Sequence, residues 1–428
     1  MSPVRQAFFS VLLIVVSLAF GLAVVEAYLW YRAGYQPVSS DQSSTLFKFE
    51  DLYVSSKPLA VFDRISGYRR AAGPTRIVRI MRDELIYDQT FTPNNKGYIS
   101  AIDFTERKAD PRAVRLIVFG DSFTASEFLP TPWPDRVNRA LQGKTTRPIE
   151  LYSFAVNGAG AWNWNSIFFN EVVPRYEFDA VLLAVWGDDI ARGYTVLHYD
   201  EAGQSWLSRL DVQPASDQEF FADYFPKFPK HYAKVATNDQ IDAMVAAVSA
   251  PWHRSDIKLR TPGLIAEQWA RFKRRNAGLA RLTQEAQTTA AAGEVPLEEI
   301  AAKYGAVQFA KFAEIMDYCR ANRIPVILAS IPSHDAAVAV AKAAGREETG
   351  FQREIRSLAG HFGALYVDGH APFAVVPPAD INRRYWLKYD GHWNQAGSDL
   401  FAETMSRYLI DHQNQLLRGD GQKESGVR

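Results

Sequence analysis

Only one cysteine, Cys319, occurs in the 428 residues of this chain, so no internal disulfide can form. It falls inside the apolar helical pattern "FAKFAEIMDYCRANR", a setting that suits a buried spectator thiol better than a nucleophile. Net charge is also missing: 48 Lys and Arg balance 48 Asp and Glu. Basic residues are scattered, which leaves no electrostatic footprint for nucleic acid as a partner. There are no internal repeats. His198, His231 and His253 lack metal-ligand spacing, so no metal site is expected, and no cofactor motif is read.

Charge is absent once more from Ala7 to Val25, "AFFSVLLIVVSLAFGLAVV". That run has about the length of a bilayer-spanning helix, with Trp30 and Tyr31 at the expected interface. A cleaved signal peptide competes, because Val25 and Ala27 suit a cleavage site, but the run is long for one. Residues 1–35 are therefore read as an N-terminal transmembrane anchor. Arg5 before it sets the N-terminus in the cytoplasm and places the rest in the periplasm or outside the cell.

Residues 36–110 read as a tether and a small β-rich cap. Alternation then begins. "AVRLIVFG" (from Ala113), "IELYSFAVNG" (from Ile149), "AVLLAVWG" (from Ala180), "PVILASIP" (from Pro325) and "ALYVDG" (from Ala364) are strand-like apolar runs separated by helical patterns. They predict an α/β fold: a parallel five-stranded sheet sandwiched by helices, split between 111–193 and 306–417. From 194 to 305 no strand of that sheet can be placed. The segment is Ala- and Glu-rich and carries the aromatic stripe "FFADYFPKFPKHYAK", so a mostly helical insertion, with the stripe as a candidate lid, is expected. Residues 418–428 read as a disordered tail.

Ligands of such sheets gather at the carboxyl ends of the strands. There the sequence places Ser122 in "GDSF", Asn157 and Gly158 in "VNGAG", Asp188 in "WGDD", and His334 in "PSHD". A nucleophilic serine needs a base and an orienting acid. Two triplets compete for that role, Asp368-Gly369-His370 and Asp390-Gly391-His392. The second precedes Asn394, a good N-cap, and an amphipathic helix that would give His392 a rigid platform. If the triplet is extended, residues i and i+2 project to one side, so Asp390 can reach the ring of His392.

"IVFGDSFTASEF", "AVNGAG", "AVWGDD" and "YDGHWNQAG" resemble, in order, the four blocks of the SGNH (GDSL) hydrolase superfamily. The close Asp-x-His spacing followed by Trp-Asn, and the lead-in "FTPNNKGYISAIDF", resemble its membrane-anchored or periplasmic branch, which includes alginate O-acetylation proteins. The resemblance implies a flavodoxin-like three-layer fold with Ser122 as nucleophile, His392 as base and Asp390 as orienting acid. The Ser122 and Gly158 amides would donate to the oxyanion. Asn157, Trp162, His334 and Trp393, beside these blocks, are candidate substrate contacts. It further implies an exported serine O-acyl hydrolase or O-acyltransferase, with acetyl the expected group and an acylated glycan the expected substrate. An acyl-donor partner in the membrane would serve the transferase. An esterase on lipids or small esters, and a non-catalytic glycan-binding or assembly protein, are the alternatives. One position departs from the pattern: Asp188 stands where the family usually has an oxyanion-donating Asn. A carboxylate has nothing to donate. Asp188 is then protonated, or turned toward Arg192 while Asn157, Asn163 or Asn165 supplies the donor; or the hole is weaker; or the site is degenerate.

Overall fold

The computed structural model describes residues 16–25, 49, 51–199, 204–213, 216, 231–249 and 293–416. The chain divides into two compact units, one of 1–53, 78–87 and 237–290, the other of 54–77, 88–236 and 291–428.

The N-terminal part is β-rich, with strands β1 (Asp51–Ser55), β2 (Ala60–Asp63), β3 (Gly67–Arg70), β4 (Thr75–Met81) and β5 (Glu84–Phe91). Strands β2 and β3 pair antiparallel. Arg82 and Asp83, joining β4 to β5, both have positive φ, the backbone that a two-residue type I′ hairpin turn requires. In the smaller unit Asp83 is tied to Phe49 by two hydrogen bonds, its carboxylate accepting from the Phe49 amide at 2.7 Å and its own amide donating back at 3.0 Å.

The larger unit holds the main sheet. β6 (Val114–Phe119) is followed by the one-turn α1 (Ser122–Ala125) and by α2 (Trp133–Leu141); β7 (Ile149–Ser153) by α3 (Ala161–Ile167); then comes β8 (Ala180–Trp186). Strands β9 (Tyr194–Tyr199), β10 (Gln204–Leu210) and β11 (His231–Val235) lead to α4 (Asn238–Ser249), which belongs to the smaller unit. The chain returns through α5 (Leu297–Tyr304) and α6 (Ala306–Ala321) to β12 (Val326–Ile331), α7 (His334–Lys342), α8 (Gly350–Phe362) and β13 (Leu365–Asp368). Helices α9 (Pro378–Tyr385) and α10 (Gln395–Asp411) follow.

The sheet order is β13-β12-β8-β6-β7, all parallel. Helix α10 packs on α2, whereas α6 packs on α3 and α8. Right-handed crossovers put the first pair on one face and the others on the opposite face. This is the three-layer α/β arrangement expected from the alternating runs. Every residue of β6 and β12 is buried, which is why these strands read as continuous apolar runs. Removing one such side chain, Ile117 for example, would cost about 2–4 kcal/mol in lost burial and cavity. Arg115 is the exception within β6. Its fully buried guanidinium stacks over Tyr152, pairs with Glu150 at 3.2 Å and donates to the Thr105 and Glu177 carbonyls. The chain leaves β6 first to β7 on one side and then to β8 on the other, so the topological switch point lies at the exit of β6. Ser122 is there.

Within 194–305 the described residues include three strands, β9 to β11, in a second sheet, beside the helices α4 and α5, while 250–292, with most of the Ala- and Glu-rich stretch, lies outside the described residues. The period-two alternation of β9 is masked in sequence because that strand is covered on both sides: Tyr194, Thr195, Val196 and Leu197 are all buried. The aromatic stripe falls largely on 220–230, outside the described residues. Among the described residues no helix is long and apolar enough to cross a membrane. Residues 16–25 are helical, while 1–15 and 26–35 of the expected anchor, the start of the tether at 36–48, and the tail 418–428 lie outside the described residues.

Candidate functional site

Asp121 caps the turn that follows β6, its carboxylate accepting from the Phe123 amide at 2.9 Å. The half-buried Ser122 opens that turn. At the other end Ser126, with φ +44°, donates its amide to the Ser122 carbonyl at 3.0 Å and its hydroxyl to the Phe123 carbonyl at 2.8 Å. The Ser122 Oγ lies 2.7 Å from His392 Nε2, across 270 residues of sequence.

His392 is carried by a closed loop between α9 and α10. The Leu387 amide donates to the His392 carbonyl at 3.0 Å, the Trp386 indole donates to the Gly391 carbonyl at 3.1 Å, and Trp386 bridges Trp393. Tyr389 turns the chain with φ +64°. The Asp390 carboxylate lies 2.5 Å from His392 Nδ1 and also accepts the His392 amide at 3.0 Å. The triplet is thus a side-chain-closed turn rather than the extended segment anticipated, and Asp390 reaches the ring because it folds back on its own loop. An ionised carboxylate accepts only, so Nδ1 carries the proton and Nε2 is left to accept from Ser122. Phe123 and Phe128 wall the ring, each 5.0 Å away centroid to centroid. Burial pushes the imidazole pKa down. The hydrogen bond and charge of Asp390, with the more distant Asp121 and Glu127, outweigh it, and the net displacement is upward from 6.5.

The other triplet has a different fate. His370 is fully buried, its Nδ1 3.2 Å from the Ser330 hydroxyl and 3.4 Å from Asp368. Asp368 also accepts twice from Gln352. This cluster closes on itself beside β12 and β13.

Strands β6 and β7 stay paired past their ends, through Phe154 to Val118 and Val156 to Gly120, which sets Asn157 and Gly158 opposite Asp121 and Ser122. Gly158 has φ +71°, a backbone that only glycine adopts freely. A Cβ on Gly160 would fall 2.1 Å from the Asp189 carbonyl, so the loop can pack against the turn after β8 only with glycine there. Among the described residues neither the Ser122 nor the Gly158 amide meets an acceptor.

Asp188 is turned away, toward Arg192, whose Nη2 and Nε lie 2.7 Å and 2.9 Å from one carboxylate oxygen. Arg192 is buried and also meets Asp189 at 2.5 Å and Asp121 at 3.0 Å. Burial holds the Asp189 carboxyl well above the usual carboxylate range, against the pull of Arg192. None of the three asparagines supplies the missing donor. The Asn157 side chain donates to Glu127; Asn163 donates to the Ser66 and Thr195 carbonyls; Asn165 donates to the Lys311 carbonyl and to Glu314.

Three of the expected substrate contacts are buried. Trp162 is packed in a buried cluster with Tyr194, Val196 and Leu210, and the fully buried Trp393 lies edge-on to Phe123 and against Phe401. They follow the motifs in sequence, but helix and loop geometry turns them inward, Trp162 against β9 and β10 and Trp393 against Phe123 beside Ser122. Asn157 is likewise buried. His334 is one-third exposed and sits edge-on to Trp386 of the His392 loop, with Asp335 at 3.0 Å. The residues that sequence reasoning missed are Asp121 as cap, Glu127 as the anchor of Asn157, and Tyr68 behind the Gly158 loop. Asp121 lies inside the quoted motif, but its capping role shows only in the local turn, whereas Glu127 and Tyr68 act on Asn157 from remote positions that no motif marks. Among the described residues no group of three or more His, Cys, Asp or Glu could hold a metal ion.

No protein-family model and no curated protein matches this chain. Among solved structures, a lipase/acylhydrolase from Enterococcus faecalis is similar at 13% identity and a TM-score of 0.30, over 70% of this chain and 96% of that one. A GDSL-like lipase from Bacteroides thetaiotaomicron VPI-5482 is similar at 13% identity and 0.29, over 70% and 88%. Overlap this slight identifies neither fold nor chemistry. Those rest on the sheet order and on the contacts of Ser122.

Proposed function

We propose that this protein is a serine O-acyl hydrolase or O-acyltransferase of the SGNH type. The observation that carries the reading is the unbroken relay from Ser122 Oγ through His392 to Asp390, at 2.7 Å and 2.5 Å. His392 Nε2 takes the hydroxyl proton as Oγ attacks the acyl carbonyl, and the Ser122 and Gly158 amides receive the oxyanion. Collapse expels the alcohol, which leaves with the proton from His392, and forms acyl-Ser122. Water or a sugar hydroxyl then attacks, His392 accepts its proton, and Ser122 is released with a proton restored. Hydrolysis and transfer differ only in that second nucleophile.

The finer reading is an acetyl ester of an exported glycan, handled by a domain tethered to the membrane by residues 1–35, with an acyl-donor partner in the membrane in the transferase case. Its support is the apolar run and the resemblance of the four blocks. The second reading, a glycan-binding protein with lost chemistry, is favoured by one observation, the carboxylate of Asp188 in place of an amide donor. Intact-mass spectrometry after incubation with an activated acetyl ester separates the two. An acetyl adduct or turnover in the wild type, absent from Ser122→Ala, is expected. A folded protein that gives neither sinks the enzymatic reading. Adding candidate sugars then distinguishes transfer from hydrolysis.

A further inference from the structure

Three successive carbonyls of the loop after β7 are each held by a side chain, one from β3 and two from the segment 192–195. The buried Tyr68 hydroxyl, on β3, donates to the Asn157 carbonyl at 2.9 Å. The buried Thr195 hydroxyl, on β9, donates to the Gly158 carbonyl at 2.8 Å. Arg192 Nη1 donates to the Ala159 carbonyl at 2.9 Å. In a trans peptide the carbonyl and the following N–H point in opposite directions. Tying the Asn157 carbonyl toward Tyr68 therefore aims the Gly158 N–H the other way. Tying the Gly158 carbonyl toward Thr195 fixes the next peptide, whose Ala159 N–H closes a tight turn onto the Val156 carbonyl at 3.0 Å.

Each clamping group is itself held. The Arg70 guanidinium covers the Tyr68 ring at 5.1 Å. The Thr195 amide donates to the Asn163 side chain at 2.9 Å. Arg192 is fixed by Asp121 and Asp189, so the same guanidinium links the cap of the Ser122 turn to the Gly158 loop. Buried carbonyls need partners in any fold, but here the partners of three consecutive peptides are themselves fixed side chains, which sets the orientation of the whole loop. Here every one is met by a buried group, in a site whose asparagine donor has been replaced by Asp188.

We propose that Tyr68, Thr195 and Arg192 are positioning residues that clamp the Asn157, Gly158 and Ala159 carbonyls and so hold the Gly158 N–H on the oxyanion. Resting on the acyl-transfer reading above, this assigns the N-terminal cap and the β9 strand a part in catalysis. Preorganised backbone replaces the missing side-chain donor, because a fixed N–H needs no reorientation as charge develops.

The test uses the full chain with Tyr68→Phe, Thr195→Val, Arg192→Lys and Arg192→Met, an aryl acetate as substrate and an alkyl boronic acid as tetrahedral mimic. Tyr68→Phe and Thr195→Val are each expected to lower kcat about tenfold or more with little change in KM, and to weaken the boronate in parallel. Arg192→Lys should recover part of what Arg192→Met loses. Should Tyr68→Phe not fold, Thr195→Val carries the same comparison. Variants that keep kcat and boronate affinity within about twofold of wild type, or lose kcat with boronate affinity intact, overturn the clamp. The acetyl-Ser122 adduct of the wild type is scored in the same series. If it forms and the variants are unaffected, only the clamp fails; if it never forms, the acyl-transfer reading falls and the clamp with it.

Discussion

Asp368-Gly369-His370 and Asp390-Gly391-His392 share a sequence and a local turn, in which the Asp carboxylate accepts the amide of its own His. Their chemistry is opposite. The His370 side chain has no solvent exposure, and the burial penalty outweighs the help of Asp368, so its pKa is lowered from 6.5. The His392 side chain keeps 30% of its surface open, and its partners outweigh burial, so its pKa is raised. Ser330 contacts His370 on Nδ1, the nitrogen that also faces Asp368. Ser122 contacts His392 on Nε2, leaving Nδ1 for Asp390. A relay needs both ring nitrogens with an acid on one and a nucleophile on the other. The first triplet packs a core; the second can move a proton.

The largest effect expected from this contrast is on acyl-enzyme formation. Ser122→Ala and His392→Ala should each lower it by roughly 10⁴-fold or more. His370→Gln should instead lower the unfolding temperature, at a cost of about 1–3 kcal/mol, and leave the rate of the folded fraction within about twofold. Stopped-flow acylation beside thermal unfolding reads both, and a rate collapse in His370→Gln would reverse the assignment. Next in size is the pair of acids. Asp390→Asn should slow acylation by roughly 10²- to 10⁴-fold, because the wrong tautomer is then favoured, while Asp368→Asn should leave the rate nearly unchanged.

The pH dependence follows with a definite sign. His392 accepts a proton only when neutral, so acylation should rise with pH through a midpoint above 6.5. NMR titration of the two rings should place His370 below that value and His392 above it. Their contributions to stability are opposite too. That of His392 is present below the ordinary imidazole pKa and lost as pH rises through the raised one. That of His370 is present above the ordinary value and lost as pH falls through the lowered one. An acid limb at or below the ordinary value would remove Asp390 as the dominant influence. The smallest effect belongs to Asp188→Asn. With its carboxylate half exposed and paired to Arg192, the change should alter kcat by less than about threefold. A sharp gain from a near-zero baseline would instead show a degenerate site.

Much of this was legible in the chain itself. The continuous apolar runs of β6, β8 and β12 exist because parallel strands are buried on both faces, so burial writes itself into composition. Ser122 was legible because the residue after a strand at a switch point faces the ligand crevice, and His392 because Asn394 caps a helix directly behind it. Strands β9 to β11 were not legible, since near-uniform burial of β9 under the cap erased its period-two pattern. Trp162 and Trp393 were misread for a related reason: their position near the motifs is visible in sequence, the direction of their side chains is not.

The sequence by itself determined the alternating frame, the order of the loops that follow its strands, and the presence of Asp188 after β8. It could do so because each is a matter of local composition or of spacing within a few residues. Only the tertiary structure decided which of two identical triplets meets the serine, where Asp188 turns, and which side chains hold the Gly158 loop. Those outcomes depend on groups such as Tyr68, Arg192 and His392 approaching within hydrogen-bond distance from remote parts of the chain. Hydrogen bonds act over about 3 Å in space whatever the separation in sequence, so no local pattern could encode them.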